Sequence, residues 1–182
     1  MAGEGTAKVS RAATAGDARA EALRWFDELR DPLRRYLLCA GANAADADDA
    51  VQESFLRLYR HLAKNGDRSN LYGWVFQVAR NLLRDQRKSA RRHRTVQLDN
   101  AAIRENGPAD PRGTPESCVL DEERTRRLRA AIATLPEQQR ECMLLRASGL
   151  RYREIAEVLG IQTASVGAMV HRAVARLTED LS

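Results

Sequence analysis

The stretch Tyr152–His171, YREIAEVLGIQTASVGAMVH, decides the reading of this chain. Ala156, Gly160 and Val166 fall at the three places where a helix-turn-helix is sterically restricted. Ala156 is small enough for a second helix to cross close above it. Gly160 supplies the positive φ that ends the first helix, which a side chain would penalise. Val166 points back to close a small core whose other inward positions are Ile155, Leu159, Ile161 and Met169. Thr163 is placed to cap the second helix, the one that enters a major groove in such motifs. The alternative is an amphipathic helical pair with a glycine turn. The three restricted positions together favour a DNA reader.

Outward from this motif, composition agrees without deciding. The chain has 182 residues, with 43% hydrophobic and 5% aromatic side chains, enough for one domain or two small cores. A net charge of +5 favours a polyanionic partner, as does a pI near 9.5. Cys39, Cys118 and Cys142 are odd in number, far apart and outside any CxxC, which argues for reduced thiols in a cytoplasm and against a disulfide framework or zinc site. His61, His93 and His171 lack ligand spacing, so no metal or other cofactor is expected. No apolar run is long enough to insert in a membrane, and no signal-peptide core follows Met1.

The pattern is helical throughout, with no strand signal, and predicts an all-α protein of two small helical domains joined by a flexible linker. Residues 1–16 read as a disordered lead, 17–95 as the first domain, 96–118 as the linker and 119–182 as the second domain. In the first domain Leu23, Phe26 and Leu29 give an apolar face, and Asp31-Pro32 is expected to break and restart the helix. A helix from about Ala45 to Ala63 buries Val51, Phe55, Leu58 and Leu62, with Asp46, Asp49, Gln52, Glu53 and Arg57 on its other side. After the polar loop from Lys64 to Asn70, a third helix has an apolar stripe at Leu71, Trp74, Val75, Val78 and Leu82. Arg80, Arg84, Arg87 and Arg91 form a basic stripe. Between Arg80 and Arg94 stand six Arg and one Lys against the single Asp85. A charge run is often only a solvated face. A run of one sign on one stripe, in a chain with a DNA-reading motif, favours phosphate contacts and steep salt dependence. In the second domain helical pattern runs from Val119 through Leu128, Ile132 and Leu135. Thr134 and Glu137 read as a capping box, and Gly149 closes the helix that follows.

The runs ADADDAVQESFLRLYR, YGWVFQVARNLLRDQRK and LPEQQRECMLLRASGLRYREIAEVLGIQTASV, in this order, resemble the bacterial RNA polymerase sigma factors of the sigma-70 family. The resemblance is to the extracytoplasmic-function group and covers roughly Phe26 to Leu177 apart from the linker. It implies a region 2-like bundle and a region 4-like helix-turn-helix domain, binding core RNA polymerase and directing promoter recognition, DNA melting and initiation without enzymatic activity. Asp48, Asp49, Gln52, Glu53 and Leu56 match the surface that docks on the β′ clamp helices. Carboxylates beside exposed apolar groups suit a basic helical partner better than DNA. Arg80 and Asn81 match positions that meet the −10 element, and Arg84, Arg87 and Lys88 continue that basic face. The loop Lys64 to Asn70 matches the segment that captures a flipped base. Trp74 is expected mainly in the core, and Phe76, off the apolar stripe, as an exposed aromatic for stacking on unpaired bases, worth about 1–3 kcal/mol each. Thr163, Ser165, Ala168, His171, Arg172 and Arg176 are the implied −35 contacts. Gly167 and Ala168 depart from the family pattern, where a basic residue and a serine are frequent, so base reading there leans on shape and backbone. The β flap of the polymerase and an anti-sigma factor are further implied partners.

Promoter elements about 17 base pairs apart lie roughly 58 Å from one another at 3.4 Å per pair. A tether of about 22 residues reaches at most roughly 75 Å extended, but spans only about 25 Å relaxed. Off the polymerase, the two domains can therefore fold toward each other and cover their DNA faces. Two other classes compete. A helix-turn-helix repressor or activator acting without polymerase fits the terminal motif but leaves the acidic helix and the −10-like helix unexplained. A nucleic-acid enzyme lacks its requirements here: no carboxylate cluster, phosphate-binding glycine loop or nucleophile–base pair is apparent.

Overall fold

The computed structural model describes residues 15–94, 127–128 and 130–181. The expected linker 96–118 and the start of the second domain at 119–126 lie outside the described residues, as does the lead apart from Ala15 and Gly16. Six helices have defined limits: α1 (Ala15–Cys39), α2 (Ala44–Ala63), α3 (Leu71–Arg94), α5 (Glu137–Ala147), α6 (Tyr152–Leu159) and α7 (Thr163–Leu181). The helical residues 127–128 and 130–134 form α4. No strand occurs among the described residues.

Helix α1 runs straight through Pro32, where a break was expected. Proline inside a helix removes a backbone donor and costs about 3 kcal/mol. The opposing term is burial: Leu29 and Leu33 flank Pro32 and are both fully inside, so packing holds the helix in one piece. Of the expected face, Leu29 is buried and Phe26 half-buried, and only Leu23 turns outward. Ala18, Ala22, Leu29, Leu33 and Leu37 are buried, whereas Leu23 is 53% exposed. In α2 the expected stripe is observed, with Val51, Phe55, Leu58 and Leu62 inside. Asn43 starts this helix by accepting the Asp46 backbone N–H at 2.8 Å.

In the second unit, Gly149 (φ +100°) and Gly160 (φ +68°) adopt the left-handed conformation at the ends of α5 and α6. The Gly160 N–H returns to the Ala156 carbonyl, and Val166, Ile155 and Ala156 are buried beneath the crossing. The helix-turn-helix geometry expected of Tyr152–His171 is therefore present. Two local expectations are corrected. Thr134 and Glu137 form no capping box: α5 begins after Pro136 without a side-chain cap, and the Thr134 hydroxyl donates backward to the Ala131 carbonyl at 2.7 Å. Nor does Thr163 cap α7. The Gln162 carbonyl accepts from the Val166 N–H, so Gln162 holds the cap position and Thr163 is the first helical residue.

One contiguous core reaches from Ala18 in α1 to Val170 in α7, so the two units pack directly on each other. A smaller cluster of Ala131, Leu135, Ala173 and Leu177 ties α4 to α7.

Candidate nucleic-acid interface

Helix α3 buries Leu71 and Val75 of the expected apolar stripe but turns Trp74, Val78 and Leu82 partly outward in favour of Phe76, Ala79 and Leu83. The buried residues are Leu71, Val75, Phe76, Ala79 and Leu83, with Trp74, Val78 and Leu82 only half-buried. Phe76, expected as an exposed aromatic, is fully buried. Its ring stacks on Tyr72 (centroids 5.4 Å apart, planes 8° apart) and meets Tyr36 edge-on at 5.5 Å. Eight residues between Leu71 and Leu83 are apolar and cover most of the helix circumference. The pattern alone does not fix which of them face in. Contact with α1, α2 and α6 together decides it.

The basic stripe is likewise divided. Arg80 forms a two-pronged ion pair with Glu141 of α5, Nε to Oε1 at 3.0 Å and Nη2 to Oε2 at 2.8 Å. The side chains are 18% and 23% exposed, and the carboxylate holds the guanidinium pKa above its ordinary value. Arg87 donates through Nη2 to the Ala40 carbonyl just past α1. Asn81, Arg84 and Lys88 are exposed. The Arg91 side chain lies outside the described residues.

The loop from Lys64 to Asn70 is built, not slack. Asn70 begins α3 by accepting the Gly73 N–H on its side-chain oxygen at 2.9 Å. Asp67 receives both the Ser69 hydroxyl (2.6 Å) and the Ser69 N–H (3.0 Å). These bonds keep the Asp67 carboxyl below its usual range. Arg68 reaches Glu21 of α1 at 3.2 Å. The His61 ring stacks on Trp74 at 4.7 Å, and its Nε2 lies 2.8 Å from the Asp67 carbonyl. Asp67, Ser69, Asn70, Gly73, Trp74 and Gln77 line one wall of a cleft of about 170 Å³, and Glu157 and Val158 of α6 form the other. Across it the Asn70 amide donates to Glu157 Oε2 at 2.5 Å. Nearby, the Tyr72 hydroxyl donates to the Ser148 carbonyl at 2.6 Å.

On α2, Asp48, Asp49, Gln52 and Leu56 are exposed and Glu53 is half-buried, all on one side. Asp48 accepts from Arg34 at 2.6 Å and Glu53 from Arg57 at 2.7 Å. The Arg57 contact lowers the Glu53 pKa. Tyr59, one turn beyond Leu56, is 36% exposed and extends this face. Its spacing from Leu56 was the available signal for including it.

Helix α7 presents Thr163, Ala168, His171, Arg172 and Arg176 outward, with Ser165 half-buried. Arg172 folds its Nε back to the Ala168 carbonyl at 3.2 Å, leaving the rest of the guanidinium toward solvent. Gly167 lies against Tyr152, where an added Cβ would sit 3.6 Å from the ring. The sequence reading missed Glu141, Glu157 and Tyr72. Their partners lie 61, 87 and 76 residues away in the chain, and no local pattern marks them.

Among the described residues no group of His, Cys, Asp and Glu can hold a metal ion, and no helix is long and apolar enough to cross a membrane.

A sigma-70 region 2 family profile matches residues 25–93, and a sigma-70 region 4 profile matches residues 125–177. The ECF RNA polymerase sigma factor SigL of Mycobacterium tuberculosis is 36% identical over 177 residues, covering 94% of this chain and 93% of that protein. The ECF RNA polymerase sigma factor EcfG of Rhodopseudomonas palustris is 34% identical over 161 residues, covering 84% of each. Among solved structures, the sigma factor RpoE in complex with the anti-sigma factor NepR from Bartonella quintana superposes with a TM-score of 0.65 at 24% identity, covering 91% of this chain and 96% of that one. That likeness is one of fold. Sigma factors are DNA-recognition subunits, not enzymes. With both regions matched in chain order and a relative this similar along nearly its whole length, the chain belongs to the ECF RNA polymerase sigma factors of the sigma-70 family.

Proposed function

We propose that this sigma factor docks on core RNA polymerase through the exposed side of α2, at Asp48, Asp49, Gln52, Glu53 and Leu56, with the β′ clamp helices as the partner. The loop 64–70 and the outer face of α3, at Arg80, Asn81, Arg84 and Lys88, take the −10 element. Residues from Thr163 to Arg176 in α7 take the −35 element, with the remainder of the second unit against the β flap. The protein has no catalytic activity of its own and works in the cytoplasm, where an anti-sigma factor holds it in check. Promoter opening then runs on binding energy, and bond formation stays with the polymerase.

The observation that carries this reading is the face of α2, where the carboxylates of Asp48, Asp49 and Glu53 are followed one turn on by exposed Leu56 and Tyr59, while the opposite side is committed to the core. Such a mixed face suits a basic protein helix and not a phosphate backbone. Run-off transcription with purified core, paired with a core pull-down, tests it. Asp49→Lys with Glu53→Lys is expected to weaken core association at least about tenfold by setting like charges together. Asp49 is exposed and half-buried Glu53 makes only a surface pair with Arg57, so the melting temperature stays near that of the parent. Unchanged core binding by the double variant places the docking surface elsewhere. Tight duplex binding by the free chain, with no association to core, supports a repressor or activator instead.

A further inference from the structure

The loop between α2 and α3 is built around a histidine. His61, in the last turn of α2, stacks its ring on Trp74 of α3 with centroids 4.7 Å apart and planes at 28°. Its Nε2 lies 2.8 Å from the Asp67 carbonyl, which can only accept, so Nε2 carries the proton and donates. Its own carbonyl accepts the Gly66 N–H at 2.9 Å. The ring also lies hard against Gly66, where an added Cβ would sit 2.2 Å from His61 Cε1 and 2.4 Å from both ring nitrogens. Gly66 does not share the positive φ of Gly41, Gly149 and Gly160. Glycine is therefore required at 66 by the ring above it and not by the backbone angle. Arg68 ties the loop to α1 through Glu21, and His61 ties it to α3 through Trp74.

We propose that His61 is the positioning residue of the loop 64–70, and that its packing on Trp74 and Gly66 sets which unpaired base of the −10 element the loop accepts. A loop that discriminates among bases must hold its donors and acceptors in place before the strand arrives. A loose loop adapts to several bases, whereas a fixed one leaves a wrong base facing unpaired polar groups. His61 acts through the loop and not on the DNA: it is half-buried, and its Nε2 is committed to the Asp67 carbonyl. The inference rests on the assignment of this loop to the −10 element.

Holoenzyme assembled from the full chain and core polymerase is the test material. Run-off transcription is measured on a mapped promoter in which each −10 position is changed in turn to the other bases. Rates are compared as ratios between templates, so the fraction of active protein cancels. His61→Ala and Gly66→Ala are each expected to lower the preference for the parental base at least about five-fold at one shared −10 position, with −35 preferences unchanged. The double variant should lose no more than His61→Ala alone, because the methyl at 66 acts by displacing the ring. If His61→Ala fails to fold, His61→Phe keeps a ring for Trp74 but loses the donor to Asp67. It is then expected to show a smaller loss at the same position, and no loss there is equally fatal. Lys64→Ala with Asn65→Gly, at the loop tip, reports whether the loop reads the strand; Asn65 already has a left-handed φ of +54°, so glycine fits there. Parental ratios in His61→Ala with altered ratios in the tip variant overturn the proposal. So does a double variant whose loss is the product of the two single losses. Parental ratios in both His61→Ala and the tip variant strike the assignment of the loop to the −10 element, and the proposal with it. Failure of the parent to initiate with core is a separate result, and it strikes the functional reading itself.

Discussion

Helices α3 and α7 invite the same description from sequence: each is amphipathic, and each carries arginines on its polar side. In the folded chain they are in opposite conditions. Helix α7 packs along one side only, against α4, α5 and α6, and its His171, Arg172 and Arg176 remain outward. Helix α3 is surrounded by α1, α2 and α6, and two of its arginines are already engaged by Glu141 and by the Ala40 carbonyl. A basic stripe therefore announces a capacity for phosphate, while the packing around the helix sets how much of that capacity is on offer. Exposure of the arginine matters as much as its presence.

The sharpest way to break the contrast is at Phe76. If α3 is a packed helix, Phe76→Ala should cost about 3–5 kcal/mol of stability in urea denaturation, as for other fully buried aromatics. If instead Phe76 served mainly as a stacking platform for an opened strand, stability would hold and only promoter melting would suffer. On the α7 side, Arg172→Ala is expected to cost up to about 3 kcal/mol in −35 affinity if the guanidinium reads a guanine, with relaxed preference at one base pair. A uniform loss across −35 variants, with a salt slope shallower by about one, would mark a phosphate contact. No loss on any variant would mean that α7 is outward-facing for a protein partner.

A smaller effect is expected at Asn81, the exposed polar group of α3 nearest Arg80. Asn81→Ala should lose about 1 kcal/mol of −10 recognition in the polymerase complex, seen by permanganate footprinting as weaker opening on duplex than on pre-melted templates. Equal loss on both templates without a change in base preference would leave Asn81 a structural or phosphate-binding role. The smallest effect is at Gly167. The Cβ of Gly167→Ala would meet Tyr152 at ordinary contact distance, so the substitution should stabilise α7 by about 0.5–1 kcal/mol. Destabilisation there would show that α7 needs the flexibility of glycine.

What the sequence made legible follows from where the physical constraint resides. The turn at Gly160 and the inward Val166 were readable because helix-turn-helix sterics are local, confined to a few consecutive residues. The α2 stripe was readable because Val51, Phe55, Leu58 and Leu62 recur at helical spacing and, of the large apolar side chains, only Leu56 and Tyr59 depart from it. The α3 stripe was partly misplaced because its apolar residues crowd most of the circumference, and only the neighbouring helices choose among them. Pro32 misled for a similar reason: its intrinsic cost is real, but burial of Leu29 and Leu33 outweighs it. The Thr134–Glu137 pattern met the composition of a capping box without its geometry, since the chain turns at Leu135-Pro136. The tether's relaxed span foretold that the units can meet, but nothing local indicated that Glu141 and Glu157 make the contact, or that the α3 arginines would be engaged and those of α7 left outward.

Cys142 gives this architecture a chemical clock. Its thiol is fully buried in the second unit, 3.7 Å from the Met169 sulfur. Burial, then the nearby Glu141 carboxylate, pushes its pKa up to about 11. At pH 8 only about one such thiol in a thousand is ionised, so alkylation in the folded unit is negligible. Because burial favours the neutral form, the contribution to stability is whole at neutral pH and drains away as pH climbs past the ordinary thiol range toward 11. Exposed Cys39 reacts regardless. The lag between modification of Cys39 and of Cys142, each followed by its own peptide because Cys118 is a third thiol of the chain, therefore measures how often the helix-turn-helix unit transiently unfolds, without an introduced label.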